Sequence, residues 1–296
     1  MVAGIFGLGE IYSKQVKDST ENTYSNWPEG GSYGYITGKG PPSAGSPEVD
    51  RISLATDTAS QLSSTSIGGY GLVQFDTAEY GYFIGGAPPV KSTVNRIEFS
   101  TETFSTPGYF SNNLYSAASI QNYNYGYTIA GVNVVYDCRI RRFDFSNETS
   151  LFLSSLPVSF RSNAGVQSET DGYSVGGNDN PSRYSSVYKF NFSNESYILS
   201  STTTPIGITR VSSIENENYG YFAGGDTPSV TSNICDVFRL DFSNDAISYP
   251  GNNMSKTLKN SATTKGMDYG YWITGYSSSS PLGDGATCRI FKLNFS

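Results

Sequence analysis

Along most of this chain, apolar and polar residues alternate in short runs broken by Gly, Asn and Ser. In Val94-Asn95-Arg96-Ile97-Glu98-Phe99, Ile97 and Phe99 fall on one face while Arg96 and Glu98 fall on the other. A period of two marks a half-buried strand. A second run, Tyr80-Gly81-Tyr82-Phe83-Ile84-Gly85-Gly86, is aromatic and β-branched and ends in paired glycines. Such residues suit a pleated strand, and glycine ends it because it reaches positive φ without a Cβ clash.

The second run recurs six times, with its middle glycine at Gly34, Gly81, Gly126, Gly172, Gly220 and Gly270, at steps of 47, 45, 46, 48 and 50 residues. A repeat near this length, rich in aromatics, is the period of a β-propeller blade. Each copy is followed by a loop of variable length and then by the alternating run: Val49–Leu54, Val94–Phe99, Ile140–Phe145, Val187–Phe192, Val237–Phe242 and Ile290–Phe295. A short turn such as Ser146-Asn147-Glu148-Thr149 leads to a further strand, and a small-residue segment such as Ser116-Ala117-Ala118-Ser119-Ile120 closes the unit. Four strands per unit make a blade. The prediction is an all-β, six-bladed propeller spanning residues 13–296.

The ends carry a further expectation. The sixth unit stops at Phe295-Ser296 without its last strand, and an unpaired edge is a template for aggregation. The N-terminal segment is expected to return and supply that strand within Gly9–Lys17. Residues 1–12 are left over as an apolar arm in which Ile5, Phe6, Leu8 and Ile11 are candidate anchor residues.

Composition narrows the chemistry. The 296 residues carry no histidine, which excludes His-ligated metal sites, His general bases and His triads. Charged residues are only 15% and the net charge is −7, so a phosphate-binding nucleic-acid surface is not expected. No apolar stretch reaches the roughly 18 residues needed to span a bilayer, and Met1–Leu8 lacks a basic n-region, so membrane insertion and general secretory export are not expected.

One basic residue recurs in every repeat: Arg51, Arg96, Arg142, Lys189, Arg239 and Lys292. A charged ring for an anionic glycan is one reading. The favoured reading is structural, with each cation paired to the polar residue two positions on or covering an aromatic of the neighbouring blade. Tyr35, Tyr82, Tyr127, Tyr173, Tyr221 and Tyr271 hold one repeat position and are expected in the core. Loop aromatics Tyr109, Phe110, Tyr136, Tyr184 and Tyr276 are the candidates for stacking on a sugar. Cys138, Cys235 and Cys288 each lie seven residues before the repeat Phe. Equivalent positions on different blades are too far apart for a disulfide, so they read as small fillers. No catalytic residue, cofactor or metal is expected, and no carboxylate pair stands out from the repeat background.

The order of a small-residue strand, a Gly-Gly strand, an alternating strand and an outer strand resembles the kelch repeat, with Phe104, Phe152, Ile198 or Ile247 where that repeat carries Trp. Tyr-Gly-Tyr-Phe-x-Gly-Gly followed by Phe143-Asp144-Phe145-Ser146-Asn147-Glu148-Thr149, with Leu156-Pro157 beyond, resembles repeat proteins of marine tailed phages, especially cyanophages. The opening Gly4–Tyr12 is similar to the start of such proteins. This resemblance implies a non-enzymatic virion component, tail or tail-fibre associated, assembled in the host cytoplasm. Its implied partners are other virion proteins through the arm, and a host-surface glycan or receptor. A receptor-binding adhesin is the alternative, and a glycan-degrading enzyme the third.

Overall fold

The computed structural model describes residues 2–3, 33–37, 48–64, 69–227, 234–251, 253–266, 269–280 and 283–295. These form six small antiparallel sheets arranged in a ring, a six-bladed β-propeller. In blade 3 the order from the axis outward is Ala118–Gln121, Tyr125–Val132, Tyr136–Asp144 and Thr149–Ser155. Blades 2, 4 and 5 repeat it, with inner strands Val73–Asp76, Ala164–Gln167 and Ser212–Glu215. In blades 3 to 6 the inner strand opens with small residues, Ala118-Ser119, Ala164-Gly165, Ser212-Ser213 and Ala262-Thr263. In blade 1 the inner position is taken by Val2–Ala3, which pairs with Tyr35 and Ile36. Blade 6 has three strands among the described residues: Ala262–Lys265, Tyr269–Ser280 and Gly283–Asn294. The expected outer strand within Gly9–Lys17 lies outside the described residues, as do Ile5, Phe6, Leu8 and Ile11.

The core lies between blades. The third residue of each Tyr-Gly-Tyr run is buried: Tyr35, Tyr82, Tyr127, Tyr173, Tyr221 and Tyr271 are at most 6% exposed. The middle glycine has a packing reason. It forms a notch for a side chain, mostly apolar, on the previous blade's inner strand. A Cβ on Gly126 would stand 2.6 Å from Phe75, and one on Gly220 would stand 2.6 Å from Val166. Ile120 enters the notch at Gly172, Ile214 that at Gly270, and Thr264 that at Gly34. The terminal pair has a conformational reason, since Gly85 and Gly86 adopt φ of 73° and 97°.

Charged residues join the blades through one repeated latch. Arg96 lies opposite Tyr82 across two strands and 4.4 Å above the ring of Tyr80. Its Nη1 donates at 2.7 Å to Oε1 of Glu148, in the outer turn of the next blade, and the Tyr82 hydroxyl donates to the same oxygen at 3.1 Å. Phe145, in that turn, stacks on Tyr82 with centroids 5.7 Å apart. The same set joins Tyr35 and Arg51 to Glu102, Tyr127 and Arg142 to Glu195, and Tyr173 and Lys189 to Asp245. Tyr271 and Lys292 of blade 6 hold Asp57 of blade 1.

This corrects the sequence reading of the basic residues. Each cation covers an aromatic of its own blade, and the acid hydrogen-bonded to Arg51, Arg96, Arg142, Lys189 and Lys292 is on the neighbouring blade, not two positions on. The residue two positions on is otherwise engaged. Asp144 and Asp241 accept from the backbone and hydroxyl of Ser146 and Ser243, building the turn that carries the acid. All five acids adopt positive φ, between 52° and 57°, a region costing non-glycine residues about 1–2 kcal/mol.

Candidate functional site

Two ends of the propeller differ in what they spend their polar groups on. At the end where inner strands finish, Gln121 exchanges hydrogen bonds with the backbone of Asp76. Gln167 and Lys265 both donate to Glu215. That end is tied side chain to neighbour.

The opposite end carries the variable loops. Here the chain enters the inner strands of blades 2 to 6 through one residue of positive φ each: Gly71, Ser116, Ser162, Arg210 and Asn260. The N–H of Ser116 donates to Gly71, that of Ser162 to Ser116, that of Arg210 to Ser162 and that of Asn260 to Arg210, at 2.7–3.0 Å. These bonds form a collar around the axis from blade to blade. Left-handed non-glycine residues persist only where their surroundings impose them, and here the collar does so.

Cations gather on this collar. Arg210 donates from Nη1 to Asp226 at 2.9 Å, and Lys259 lies 3.4 Å from the other oxygen of the same carboxylate. Arg161 lies 5.1 Å above the ring of Tyr136. Its Nε is buried without a partner, as is that of Arg183 in the loop of blade 4. Neither arginine forms an ion pair among the described residues. Backbone bridges tie Arg161 to Asn178 and Thr209 to Asp226, and the Thr209 hydroxyl reaches Asn178 at 3.0 Å. Four cations therefore share one neighbourhood with the carboxylates of Asp226 and Asp179, in a chain whose net charge is −7. Such a surface attracts carboxylate, sulfate or phosphate groups.

The sugar-stacking candidates all fall at this end, but on different blades. Tyr109 ends the outer strand of blade 2 and is 75% exposed. Tyr136 begins the third strand of blade 3, beneath Arg161. The Tyr184 hydroxyl donates to Asp179 at 2.5 Å, and burial followed by that carboxylate pushes its pKa up to about 12. Its ring packs on Phe160. The Tyr276 backbone pairs with Ala286 in blade 6. Phe110, expected in an accessible loop, is 3% exposed beside Leu114 and Phe143. It is core, because its segment folds back onto blade 3. Tyr136, beneath Arg161, and Tyr184, bonded to Asp179, are the candidates that the structure brings into the cationic cluster. The cations themselves escaped the sequence reading. Arg161 and Lys259 hold the same repeat position, but Arg210 is one residue out of step.

Cys138 and Cys235 are free thiols, partly buried in separate clusters. The rim is less polar than the composition implies. Leu151, Phe152, Ile198 and Leu199, on the outer strands of blades 3 and 4, are 52–60% exposed. The described residues contain no cluster of three or more His, Cys, Asp or Glu side chains placed to hold a metal ion.

The protein is thus defined as a six-bladed β-propeller with its irregular, cationic surface at one end of the axis. No family model matches the chain, and no curated protein matches it.

Proposed function

We propose that this chain is a non-enzymatic virion component of a tailed phage, a propeller that presents its loop-bearing end to anionic glycan on the host surface. The observation that carries the reading is the cluster of Arg161, Arg183, Arg210 and Lys259 around the axial collar. It sits where loops vary in length, and binding surfaces sit on loops held by a rigid scaffold. The turn carboxylates Asp57, Glu102, Glu148, Glu195 and Asp245 are engaged in latches, a structural use. The phage assignment rests on the resemblance of the repeat, and the kelch likeness belongs to the same level of argument. In this reading Ile5, Phe6, Leu8 and Ile11, beyond the strand Val2–Ala3, hold the protein to other virion proteins.

Two measurements test it. Mass spectrometry of purified particles is expected to find the chain, and changing Ile5, Phe6 and Leu8 to Ser is expected to remove it from particles without unfolding it. Retention on carboxylated or sulfated glycans is expected to fall at least tenfold in Arg161→Ala/Arg210→Ala, with neutral glycans unaffected. Absence from particles overturns the virion role, and unchanged retention overturns the surface.

A further inference from the structure

Blades 3 and 4 offer different side chains at equivalent places on the loop-bearing end. In blade 3, backbone pairing sets Tyr115, Val132 and Tyr136 side by side across three chain segments. In blade 4 the same positions hold Arg161, Asn178 and Arg183. Residues directly opposite in antiparallel pairs share a face, so each blade presents one row. The blade 3 row is aromatic, and its hairpin tip carries Val134 and Val135, 87% and 73% exposed. Tyr70 of blade 2 extends it, meeting Tyr115 edge-on with centroids 6.2 Å apart. The blade 4 row is built of donors. Asn178 Oδ1 accepts from the Thr209 hydroxyl at 3.0 Å, which leaves its amide N–H groups to face the row. Arg161 and Arg183 flank it with Cβ atoms about 10 Å apart. Neither forms an ion pair among the described residues, and the Nε of each is buried without a partner. Arg161 joins the two rows, since its guanidinium lies 5.1 Å above the ring of Tyr136. By contrast, Arg210 and Lys259 share the carboxylate of Asp226.

On the reading of the loop-bearing end as a glycan surface, we infer that its binding place is this seam between blades 3 and 4, and that the unit bound is a sugar carrying a carboxylate. The apolar face of the sugar ring lies on Tyr115 and Tyr136, whose rigid amphipathic rings give contact area at little entropic cost. Its carboxylate then faces Arg161, Asn178 and Arg183. A planar guanidinium fork pairs with a planar carboxylate through two parallel bonds, which a lysine cannot reproduce. Aromatic walls with a few placed polar groups are the usual make-up of a small-ligand site. Tyr115, Tyr136 and Arg183 thereby set specificity, whereas the charge of Arg210 is already spent on Asp226.

Retention of the full chain on immobilised alginate and polygalacturonate, which carry carboxylates, is compared with retention on dextran sulfate and neutral dextran. Wild type is expected on the carboxylated beads. Arg183→Ala and Tyr136→Leu are each expected to weaken retention about tenfold, with Arg210→Ala changing it less than about twofold. Tyr136→Phe, which keeps the ring, should bind as wild type. Arg183→Lys, which keeps the charge and loses the fork, should bind no better than Arg183→Ala. Unchanged retention in Tyr136→Leu and Arg183→Ala, with loss in Arg161→Ala/Arg210→Ala, overturns the seam and leaves the general cationic surface standing. Retention on dextran sulfate equal to or above that on the carboxylated beads overturns the carboxylate. Retention on none of the charged beads overturns both the seam and the glycan surface. Thermal unfolding of each variant separates lost contact from lost fold. Should Tyr136→Leu unfold, Arg183→Lys decides, and full retention there overturns the seam.

Discussion

Replacing Glu148 by glycine and by alanine separates what its side chain does from what its backbone does. Glu148 sits at φ 57°, where glycine is the unstrained residue. Its carboxylate accepts from Arg96 at 2.7 Å and from Tyr82 at 3.1 Å, with the ionic side chains 28% and 21% exposed. Hydrogen bonds involving a charged group are worth about 1.5–3 kcal/mol, and partial exposure places this latch toward the lower end of that range. Glu148→Ala loses the latch and keeps the strain, so it is expected to cost about 1.5–2 kcal/mol. Glu148→Gly loses the latch but relieves about 1 kcal/mol of backbone strain, so it is expected to cost about 0.5–1 kcal/mol.

The order is the test. Alanine should unfold at the lowest temperature, glycine between it and wild type, with about 2–4 °C per kcal/mol for large domains. Removing the partners should reverse the sign for glycine. In the Arg96→Ala/Tyr82→Phe background, Glu148→Gly is expected to raise Tm, since only the strain remains to be relieved. A glycine variant more stable than wild type in the native background would refute the latch and reduce the acid to a turn residue.

Stability should fall at both pH extremes for identifiable reasons. Burial first, and the neighbouring acid second, raises the pKa of Tyr35, Tyr82, Tyr127 and Tyr173. Their contribution is complete below about pH 10, the unfolded value, and is lost as pH rises above it. Ser146 and Ser243 hydrogen bonds lower the pKa of Asp144 and Asp241, so their contribution is present above about pH 4 and lost below it. A Tm profile from pH 3 to 11 checks both limbs, and Tyr82→Phe should flatten the alkaline one. Gly220→Ala puts a methyl 2.6 Å from Val166 and is expected to cost about 1–3 kcal/mol through overpacking, read as a lower urea midpoint.

The repeat made the fold legible because period-two alternation and glycine punctuation are local. The buried tyrosines and the strand order followed from them. The latch was half legible. Arg96 and its equivalents stood out as a recurring cation, but Glu148 lies 52 residues further on, and no local pattern links a residue to the turn of the next blade. The middle glycine stood out only as the marker of the repeat, whereas its role at Gly126 is to admit Phe75 of another blade. Phe110 misled because an aromatic between polar residues looks exposed until the chain doubles back. The axial cations were invisible as a group, since only the ring brings Arg161, Arg210 and Lys259 to one place.

The two kinds of joint divide the work. The glycine notches bury apolar surface and are direction-blind in chemistry, so they hold blades together without choosing a register. The latch chooses it: a blade displaced along its neighbour would strand a cation over a tyrosine with no acid, a costly arrangement for a half-buried charge. The latch turn is accordingly invariant, with four residues between third and outer strands in blades 1 to 5. Connections between second and third strands run from two residues in blade 6 to thirteen in blade 5. Neither notch nor latch uses any residue of those connections. Their sequence is thereby released from holding the ring, and the collar fixes their bases around the axis. A fold so built can change what its loop end recognises without disturbing a joint, which is why the chemistry of recognition is best sought there.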